Sequence, residues 1–571
     1  MTKTLVIVES PAKCKKIEDY LGPGYKCVAS YGHIQGLNNK LGMKCIDVEN
    51  NFKPKFAQLS EKQKNITKLK SEIALADEVI LATDDDREGE AIAWHICNVC
   101  HLPVNTTKRI IFHEITKTAI NSAVKSPGTI NISIVNAALA RQILDFIVGY
   151  MLSPILWSNI SRNSKDGLSA GRCQTPALRL VYDNQKDIDS SPGKKVYNTT
   201  GYFTKETLPY LLDQNYNDET TMENLLEESV NHDHIYNCAN PRTVTKNPPA
   251  PFTTSTLQQT ASSNFSISPK DTMRIAQTLY EGGYITYMRT DSKTYSKDFI
   301  DTVKPFIKDK YGEEYIHKNI DALSERAADN KKTTKKSKKK EEDNKAQEAH
   351  EAIRPTDITR LTVKDDMHPR EKKIYQLIWR TTMESCMEPA KFTSLTSSIS
   401  APEDHKYKYS TEQVVFPGWK VVGGFEKENP LYTYLQTIKN GSTIDYKKIV
   451  GKVTMKDLKS HYTEAKLVQM LEQKGIGRPS TFSSLIDKIQ ERGYVKKEDV
   501  KGKKIKCIDF ELVEDTITEN SNEREFGNEK GKLVIQQVGH LVIEFLLKHF
   551  NELFDYDYTK GMEDSLDIIA N

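Results

Sequence analysis

The residues with the clearest chemistry lie between Asp84 and Glu90, where D-D-D-R-E-G-E packs five carboxylates into seven positions directly after the apolar run E-V-I-L-A-T. Crowded like charges are costly unless a cation neutralises them. Hard oxygen donors with so little Cys or His beside them suit Mg²⁺ better than zinc. If strand geometry persists through the cluster, Asp84, Asp86 and Glu88 share one side, because strand side chains alternate. An exposed acidic loop explains the spacing equally well, and Glu9, expected at the end of a neighbouring strand, tips the reading toward a metal site. Lys13 follows Glu9 by four residues, at the first turn of a helix, where a cation and the helix amino end both attract phosphate. A second segment runs from Glu281 to Ser292, E-G-G-Y-I-T-Y-M-R-T-D-S. In an extended stretch Tyr287 and Arg289 project from one face. A guanidinium there could clamp a phosphate that the phenol attacks. Tyrosine, with a free pKa of about 10, is a poor nucleophile and needs nearby positive charge to favour the phenolate. By itself this segment reads more readily as a packed strand with an incidental arginine.

These residues need elements to hold them. The opening T-L-V-I-V reads as a buried strand, followed by Glu9, Ser10 as N-cap and Pro11 at the first helical position. The pattern returns from Glu78 to Thr83, where a buried strand meets the acidic turn and then the helical run A-I-A-W-H-I. Two such units imply an α/β domain with a mainly parallel sheet. Chemistry in such sheets gathers at the carboxyl ends of the strands, which places Glu9 near Asp84. From 131 to 187 the spacing of Val135, Leu139, Ile143, Phe146 and Ile147 predicts helix. The stretches 195–245 and 393–453 favour strands and are expected to pair into one β-rich domain, interrupted by a helical insert from about 252 to 390.

A chain of 571 residues suggests about three or four domains. With 81 Lys+Arg against 78 Asp+Glu the net charge is only +3, so any nucleic-acid site has to come from local clustering. Nine cysteines, scattered and odd in number, argue for reduced thiols inside a cell rather than a disulfide framework. Cys97-Asn-Val-Cys100-His101 has haem-attachment spacing, but in an apolar helical run the pair reads better as core cysteines. No stretch of about 18 apolar residues stands out, and no signal peptide is read at the start. The absence of a P-loop motif argues against a nucleotide-driven motor. Between 331 and 340 seven of ten residues are lysine; a solvated loop is the plainer reading, with a phosphate contact or nuclear address as the alternative.

Taken together, the motifs resemble the type IA DNA topoisomerases, in the form found in bacterial topoisomerase I. V-I-V-E-S-P-A-K at 6–13 and L-A-T-D-D-D-R-E-G-E-A-I-A-W at 81–94 look like that family's Toprim motifs, and G-Y-I-T-Y-M-R-T-D-S at 283–292 like its active-tyrosine motif. G-L-S-A-G-R-C-Q-T at 167–175, P-P-A-P-F-T-T-S-T-L-Q at 248–258, A-H-E-A-I-R-P at 349–355 and G-I-G-R-P-S-T at 475–481 follow in the family's order. The resemblance implies that Tyr287 attacks a backbone phosphate, leaving a 5′-phosphotyrosine and a free 3′-hydroxyl, with Arg289 on the phosphate. It makes Glu9 the acid/base group at the leaving oxygen, Lys13 a phosphate contact, and His350 an aid to the tyrosine. Glu9, Asp84, Asp86 and Glu88 become the Mg²⁺ site, with no nucleotide cofactor.

By the same carry-over, His33, Arg141, Gln142, Asp145, Arg289, Arg478 and Arg492 contact single-stranded DNA, as does the segment Ser169, Ala170, Gly171, Arg172, Cys173, Gln174. Gln142 stands where many members have a second arginine. Tyr150 and Trp157 could stack on bases, although Pro154 between them leaves their relative facing open. The fold implied is a multidomain α/β + α + β chain, a Toprim domain on the family's toroidal core. Residues 1–130 form the Toprim domain, 131–192 and 461–571 a helical DNA-binding domain, 193–246 and 391–460 a β-rich arch, and 247–390 the helical domain carrying Tyr287. The implied activity is ATP-independent relaxation of negatively supercoiled DNA by a monomer inside the cell, on DNA and not on a membrane. A topoisomerase III-like decatenase, or a Toprim nuclease or primase, is the alternative. The sequence stops at D-S-L-D-I-I-A-N, where cellular members usually continue into zinc-ribbon or basic tails.

Overall fold

The computed structural model describes residues 3–161, 167–324 and 351–570. Strand β1, Thr4–Val8, is buried along its whole length, as an apolar run covered on both faces has to be. It lies between two parallel neighbours, β2 (Tyr25–Ala29) and β3 (Glu78–Leu81), with Thr4 opposite both Tyr25 and Glu78. A short β4 (Lys108–Arg109) runs parallel to β3. The order β2-β1-β3-β4 is the parallel sheet expected from two strand–turn–helix units. Helix α1 (Pro11–Leu21) opens with Ser10 accepting from the Ala12 N–H at 3.3 Å and Pro11 in the first turn, where a missing donor costs nothing. Helix α2 (Arg87–Cys100) is capped by Asp86. Cys97 is buried in that helix and both of its cysteines are free thiols.

The helical stretch read as continuous to Asp187 is two helices. Helix α3 (Ile132–Asn159) ends, and α4 (Gln174–Asp189) begins after a turn in which Gly167 has φ 63, a conformation that favours glycine. Pro154 does not end α3. Among the described residues α3 is the one helix long and apolar enough, by length and composition, to cross a membrane, where the sequence reading found no such stretch. Here it packs against α2 and against helix α8 (Tyr556–Ala570) at the far end of the chain, and its polar positions Arg141 and Asp145 form ion pairs.

A nine-stranded sheet takes strands from both sides of the helical insert. Its order is Tyr236–Cys238, Ala390–Ser400, Lys406–Phe416, Leu208–Tyr216, Lys194–Phe203, Tyr446–Lys456, Lys503–Val513, Thr516–Phe526, with Arg242–Lys246 also on Ala390–Ser400. Residues 503–526 therefore belong to this sheet, which corrects their assignment to the helical segment 461–571. The alternation K-I-K-C-I-D-F-E-L carries the period-two signal that the assignment overlooked. A helix, Glu219–Val230, capped by Asp218, interrupts the stretch read as strands only.

The two faces of the parallel sheet serve different cores. Leu5, Ile7 and Leu81 pack with Ile66, Ile92 and Ile96, whereas Val6, Val8 and Ile80 join Ile110, Phe112 and Ile115 and continue into the insert at Leu257, Leu279, Tyr284 and Tyr287. The insert's helices, α5 (Thr254–Phe265), α6 (Pro269–Glu281) and α7 (Pro369–Ser385) among them, thus share a core with the sheet that carries the acidic turn. Leu152, Leu156 and Leu178 share another core with Leu467, Phe482 and Ile543.

Candidate active site

Strand β3 ends at Leu81 and Asp86 is already the N-cap of α2, accepting from the Gly89 N–H at 2.8 Å. Strand alternation therefore does not carry through the acidic turn, and Asp84, Asp86 and Glu88 do not share one side. Asp84 points inward and pairs with the fully buried Lys13, with the Tyr280 hydroxyl 3.5 Å from the same oxygen. Asp86 faces the insert, and Glu88, in the first turn of α2, is half exposed. Glu9 meets the turn as expected, its Oε1 accepting from the Asp84 N–H at 2.9 Å.

Burial, then the charges of Asp84 and Asp86, push the Glu9 carboxyl up to about 8. A carboxyl raised above its ordinary 4.5 in the fold keeps its proton while the unfolded chain loses one, so it subtracts stability progressively across that interval. In metal-free protein, carbon-13 NMR of labelled Glu side chains is expected to show one carboxyl titrating near 8 that Glu9→Gln removes and added Mg²⁺ moves downward. A Glu9 already ionised at pH 6 would overturn this.

Gly89 makes the turn sterically possible. A Cβ there would stand 2.1 Å from the Asp84 carbonyl oxygen and 2.9 Å from Glu9 Oε1. Gly89→Ala is expected to lower stability by about 1–3 kcal/mol and to disturb the spacing of Glu9 and Asp84. A melting temperature and cleavage rate both equal to the parent's would contradict that tightness.

Tyr287 is 3% exposed. Its hydroxyl donates to Asp86 Oδ2 at 2.6 Å and its N–H to the His113 carbonyl at 2.7 Å. Arg289 Nη1 donates to Asp86 Oδ2 at 2.9 Å and to Glu88 Oε2 at 3.0 Å. The two-residue spacing thus delivers both side chains to one carboxylate, as one face of an extended segment should. The electrostatics differ from the sequence expectation. Burial and the Asp86 charge push the phenol well above its ordinary range, and Arg289 only partly opposes them. Burial alone would raise Asp86, but Arg289, the Tyr287 hydroxyl and the Gly89 N–H hold it low. In this closed arrangement the tyrosine is neutral, and Asp86 serves as its acceptor.

The closed seam is held at several further points. Lys16 donates to the Gly282 carbonyl, and a Cβ on Gly283 would stand 2.6 Å from the Ile115 carbonyl oxygen. Buried Arg354 pairs with Glu351 at 2.6 Å and across the seam with Glu114 at 3.1 Å. Among the described residues no three acidic, histidine or cysteine groups converge closely enough to cage an ion. The donor chemistry still suits Mg²⁺, because Asp86 and Glu88 already converge on one cation, the Arg289 guanidinium.

Beside this point lies a cavity of about 480 Å³ lined by His33, Asp86, Glu88, Arg141, Gln142, Asp145 and Arg289, together with Pro479, Ser480, Thr481 and Ser484. His33 stands 3.1 Å, nitrogen to nitrogen, from His95, which burial pushes down to about 3. Arg172 is buried and donates to Asp145 at 2.9 Å and to Glu563. Its neighbours serve the turn: Ser169 N–H donates to the Tyr494 hydroxyl at 2.6 Å, Ala170 N–H to Ser153 Oγ at 3.4 Å, Gly171 N–H to Thr175 Oγ1 at 3.2 Å, and Gln174 Nε2 to Ser169 Oγ at 3.3 Å. Cys173 Sγ lies 3.6 Å from Glu563 Oε1.

Tyr150 and Trp157, seven apart on an unbroken α3, are both half exposed; Tyr150 stacks on Phe146 and Trp157 Nε1 donates to the Leu168 carbonyl at 2.6 Å. Arg492 Nη1 donates to the Gly167 carbonyl at 2.9 Å, and Arg478 pairs with Asp567 at 2.6 Å. His350, like the lysine run, lies outside the described residues.

Sequence reasoning missed His95, Tyr280, Arg87, Arg109 and Glu563. His95 had a signal in its spacing, seven residues after Glu88 on α2. Arg109, buried against Glu90 at 3.1 Å and on the Asp84 carbonyl at 3.0 Å, and Glu563 had none, since their partners are distant in the chain.

A family model described as DNA topoisomerase matches residues 129–510, and one described as Toprim domain matches residues 4–115. DNA topoisomerase 1 of Salmonella typhimurium is 35% identical over 612 aligned residues that take in 100% of this chain and 64% of the relative. The Campylobacter jejuni DNA topoisomerase 1 is 36% identical, with 76% of its length covered. The chain thus spans 64% of the length of the Salmonella relative and of its Escherichia coli counterpart. Among solved structures, full-length topoisomerase I from Thermotoga maritima matches with a TM-score of 0.77 at 33% identity, over 99% of this chain and 86% of that one. With both models in family order and relatives aligned along its whole length, the chain belongs to the type IA DNA topoisomerases.

Proposed function

We propose that the protein relaxes negatively supercoiled DNA without a nucleotide, cutting one strand with Tyr287 and resealing it after another strand has passed. The observation that carries this reading is the meeting of Tyr287 and Arg289 from the insert with Asp86 of the Toprim turn, 2.6 and 2.9 Å away. A nucleophile, a phosphate clamp and an acidic turn come together from two separate parts of the chain. Phosphoryl transfer asks for this, since positioning and charge neutralisation supply most of the rate.

In the cleavage step the Tyr287 oxygen bonds to the phosphorus and the bond to the 3′ oxygen breaks, while that oxygen takes the proton held on Glu9. The phenol proton leaves through Asp86, its present acceptor. The phosphotyrosine conserves the bond energy, so the reverse step needs no further input. Arg289 moves from its carboxylates to the phosphate, with Lys13 as a second cation. Asp86 and Glu88, with Asp84 and Glu9 behind them, would hold Mg²⁺, which supplies positive charge to place the strand ends for resealing.

The cavity beside the site and the arginines around it would carry the strand through His33, Arg141, Gln142, Asp145, Arg172, Arg478 and Arg492, with Tyr150 and Trp157 as stacking surfaces. The insert, tied to the sheet by two chain connections, would swing as the gate. Incubating supercoiled plasmid with the protein and Mg²⁺ tests the reading. Stepwise loss of negative supercoils with no ATP is expected. Release of free nicked ends, or a strict need for ATP, would contradict it, and linked circles resolved faster than supercoils are removed would favour a decatenase.

A further inference from the structure

Four guanidinium groups from four separate parts of the chain meet at this cavity: Arg87 on α2 and Arg141 on α3 line it, and Arg172, in the turn before α4, and Arg478 join them through shared carboxylates. Their partners come mostly from one helix, α8. Arg141 and Arg172 each ion-pair with Glu563, which is fully buried, and Arg478 lies 3.9 Å from the same carboxylate. Asp567 bridges Arg87 at 2.5 Å and Arg478 at 2.6 Å, and Asp564 stands 3.2 Å from Arg478. Asp145 completes the set on Arg172 at 2.9 Å.

Four cations thus face four carboxylates, Asp145, Glu563, Asp564 and Asp567, and the cluster is neutral. Burial by itself would raise the Glu563 carboxyl, yet Arg141, Arg172 and Arg478 hold it below the usual range. A buried carboxylate with a guanidinium on each oxygen fixes both side chains in direction, and removing it leaves buried cations facing one another. Among the described residues the buried Nε of Arg141, itself a cavity-lining residue, has no hydrogen-bond partner. Arg87, the residue between Asp86 and Glu88, ties the same network to the acidic turn.

We infer that Glu563 is a positioning residue: it aims Arg141 into the strand groove, with Arg172 buried behind it as its second partner, and with Asp567 it locks the groove in register with the acidic turn. This rests on the proposal that the groove holds single-stranded DNA. Its partner chemistry is a phosphodiester strand, whose phosphates would take up the donors the carboxylates leave over. The consequence is specific. Where a strand is cut depends on how its phosphates sit in the groove, so loss of Glu563 should change which positions are cut and not merely how much protein is folded.

The test compares the full chain with Glu563→Gln, Glu563→Asp, Asp567→Asn and Arg141→Ala on end-labelled single-stranded DNA with Mg²⁺. Cleavage positions, binding against salt and thermal melting are read for each. Glu563→Gln is expected to lower cutting at the parent's preferred positions at least about tenfold and spread it to others, with Glu563→Asp recovering part of the pattern. Asp567 is a quarter exposed, so Asp567→Asn is expected to fold, and a partial spread is expected there. A parental pattern in folded Glu563→Gln overturns the inference; should that variant fail to fold, a parental pattern in Asp567→Asn does so. Arg141→Ala reports on the underlying reading. If it leaves binding and its salt slope unchanged, the groove does not carry the strand; if it weakens binding while Glu563→Gln and Asp567→Asn cut normally, only the role of Glu563 is refuted.

Discussion

Tyr287→Phe is expected to abolish relaxation and covalent capture of DNA, lowering the cleavage rate by at least about 10³-fold. Affinity for single strands should stay within about threefold. The variant loses one hydroxyl and one hydrogen bond to a carboxylate, a net contribution of about 1.5–3 kcal/mol. Asp86 keeps Arg289 and the Gly89 N–H as donors, and the aromatic ring remains in the shared core, so the fold survives. Plasmid relaxation and filter binding on the same preparation check both halves. Normal relaxation by this variant would remove Tyr287 from the mechanism.

The second large effect concerns the acidic turn, and the structure decides which residues to change. Asp84 is the sole ion-pair partner found for buried Lys13 among the described residues, so Asp84→Ala leaves an uncompensated charge, at a cost of about 3–5 kcal/mol. Asp86→Asn with Glu88→Gln avoids that, because both side chains face the seam and Arg289 tolerates neutral acceptors. Relaxation is expected to fall at least about 100-fold, and chelating Mg²⁺ from the parent protein should do the same. Single-strand binding should change little in either case, since on the proposed reading the strand is carried by the arginines of the groove. Binding lost in parallel with relaxation would mean that the turn holds DNA rather than an ion. A chelator without effect on the relaxation rate would mean that it is no metal site.

Local chemistry made parts of this site legible in advance. The run after Lys3 had to be a buried strand, Ser10 and Pro11 had to open a helix, and Glu9 had to face Asp84 once the two strands were parallel neighbours. Tyr287 and Arg289 were legible as a pair through their spacing. The acidic turn was misread because alternation was extended past Leu81, when Asp86, Gly89 and Glu90 already carry the signals of a capped helix start. The phenol's environment was misread for another reason: the approach of Asp86 to Tyr287 is decided by the packing of the insert on the sheet, which no local pattern encodes.

Glu563 shows the same limit more sharply. In sequence it is one acid among several on a surface-like helix, and only the fold brings Arg141, Arg172 and Arg478 to it. The strand from 503 to 513 is the opposite case, since its local pattern carries a period-two signal that the assignment of 461–571 to helix overlooks.

The central claim, that Tyr287 becomes joined to DNA through a 5′ phosphate, is most directly tested by isolating the covalent product. Single-stranded DNA carrying phosphorus-32 at every internucleotide phosphate would be cut with the full chain, the reaction stopped with denaturant, and the protein digested with trypsin and nuclease. The account predicts a labelled peptide containing Tyr287, with the phosphate on its phenolic oxygen, and free 3′-hydroxyls on the released fragments. Label on any other residue, or cut strands with no label left on protein, would contradict it.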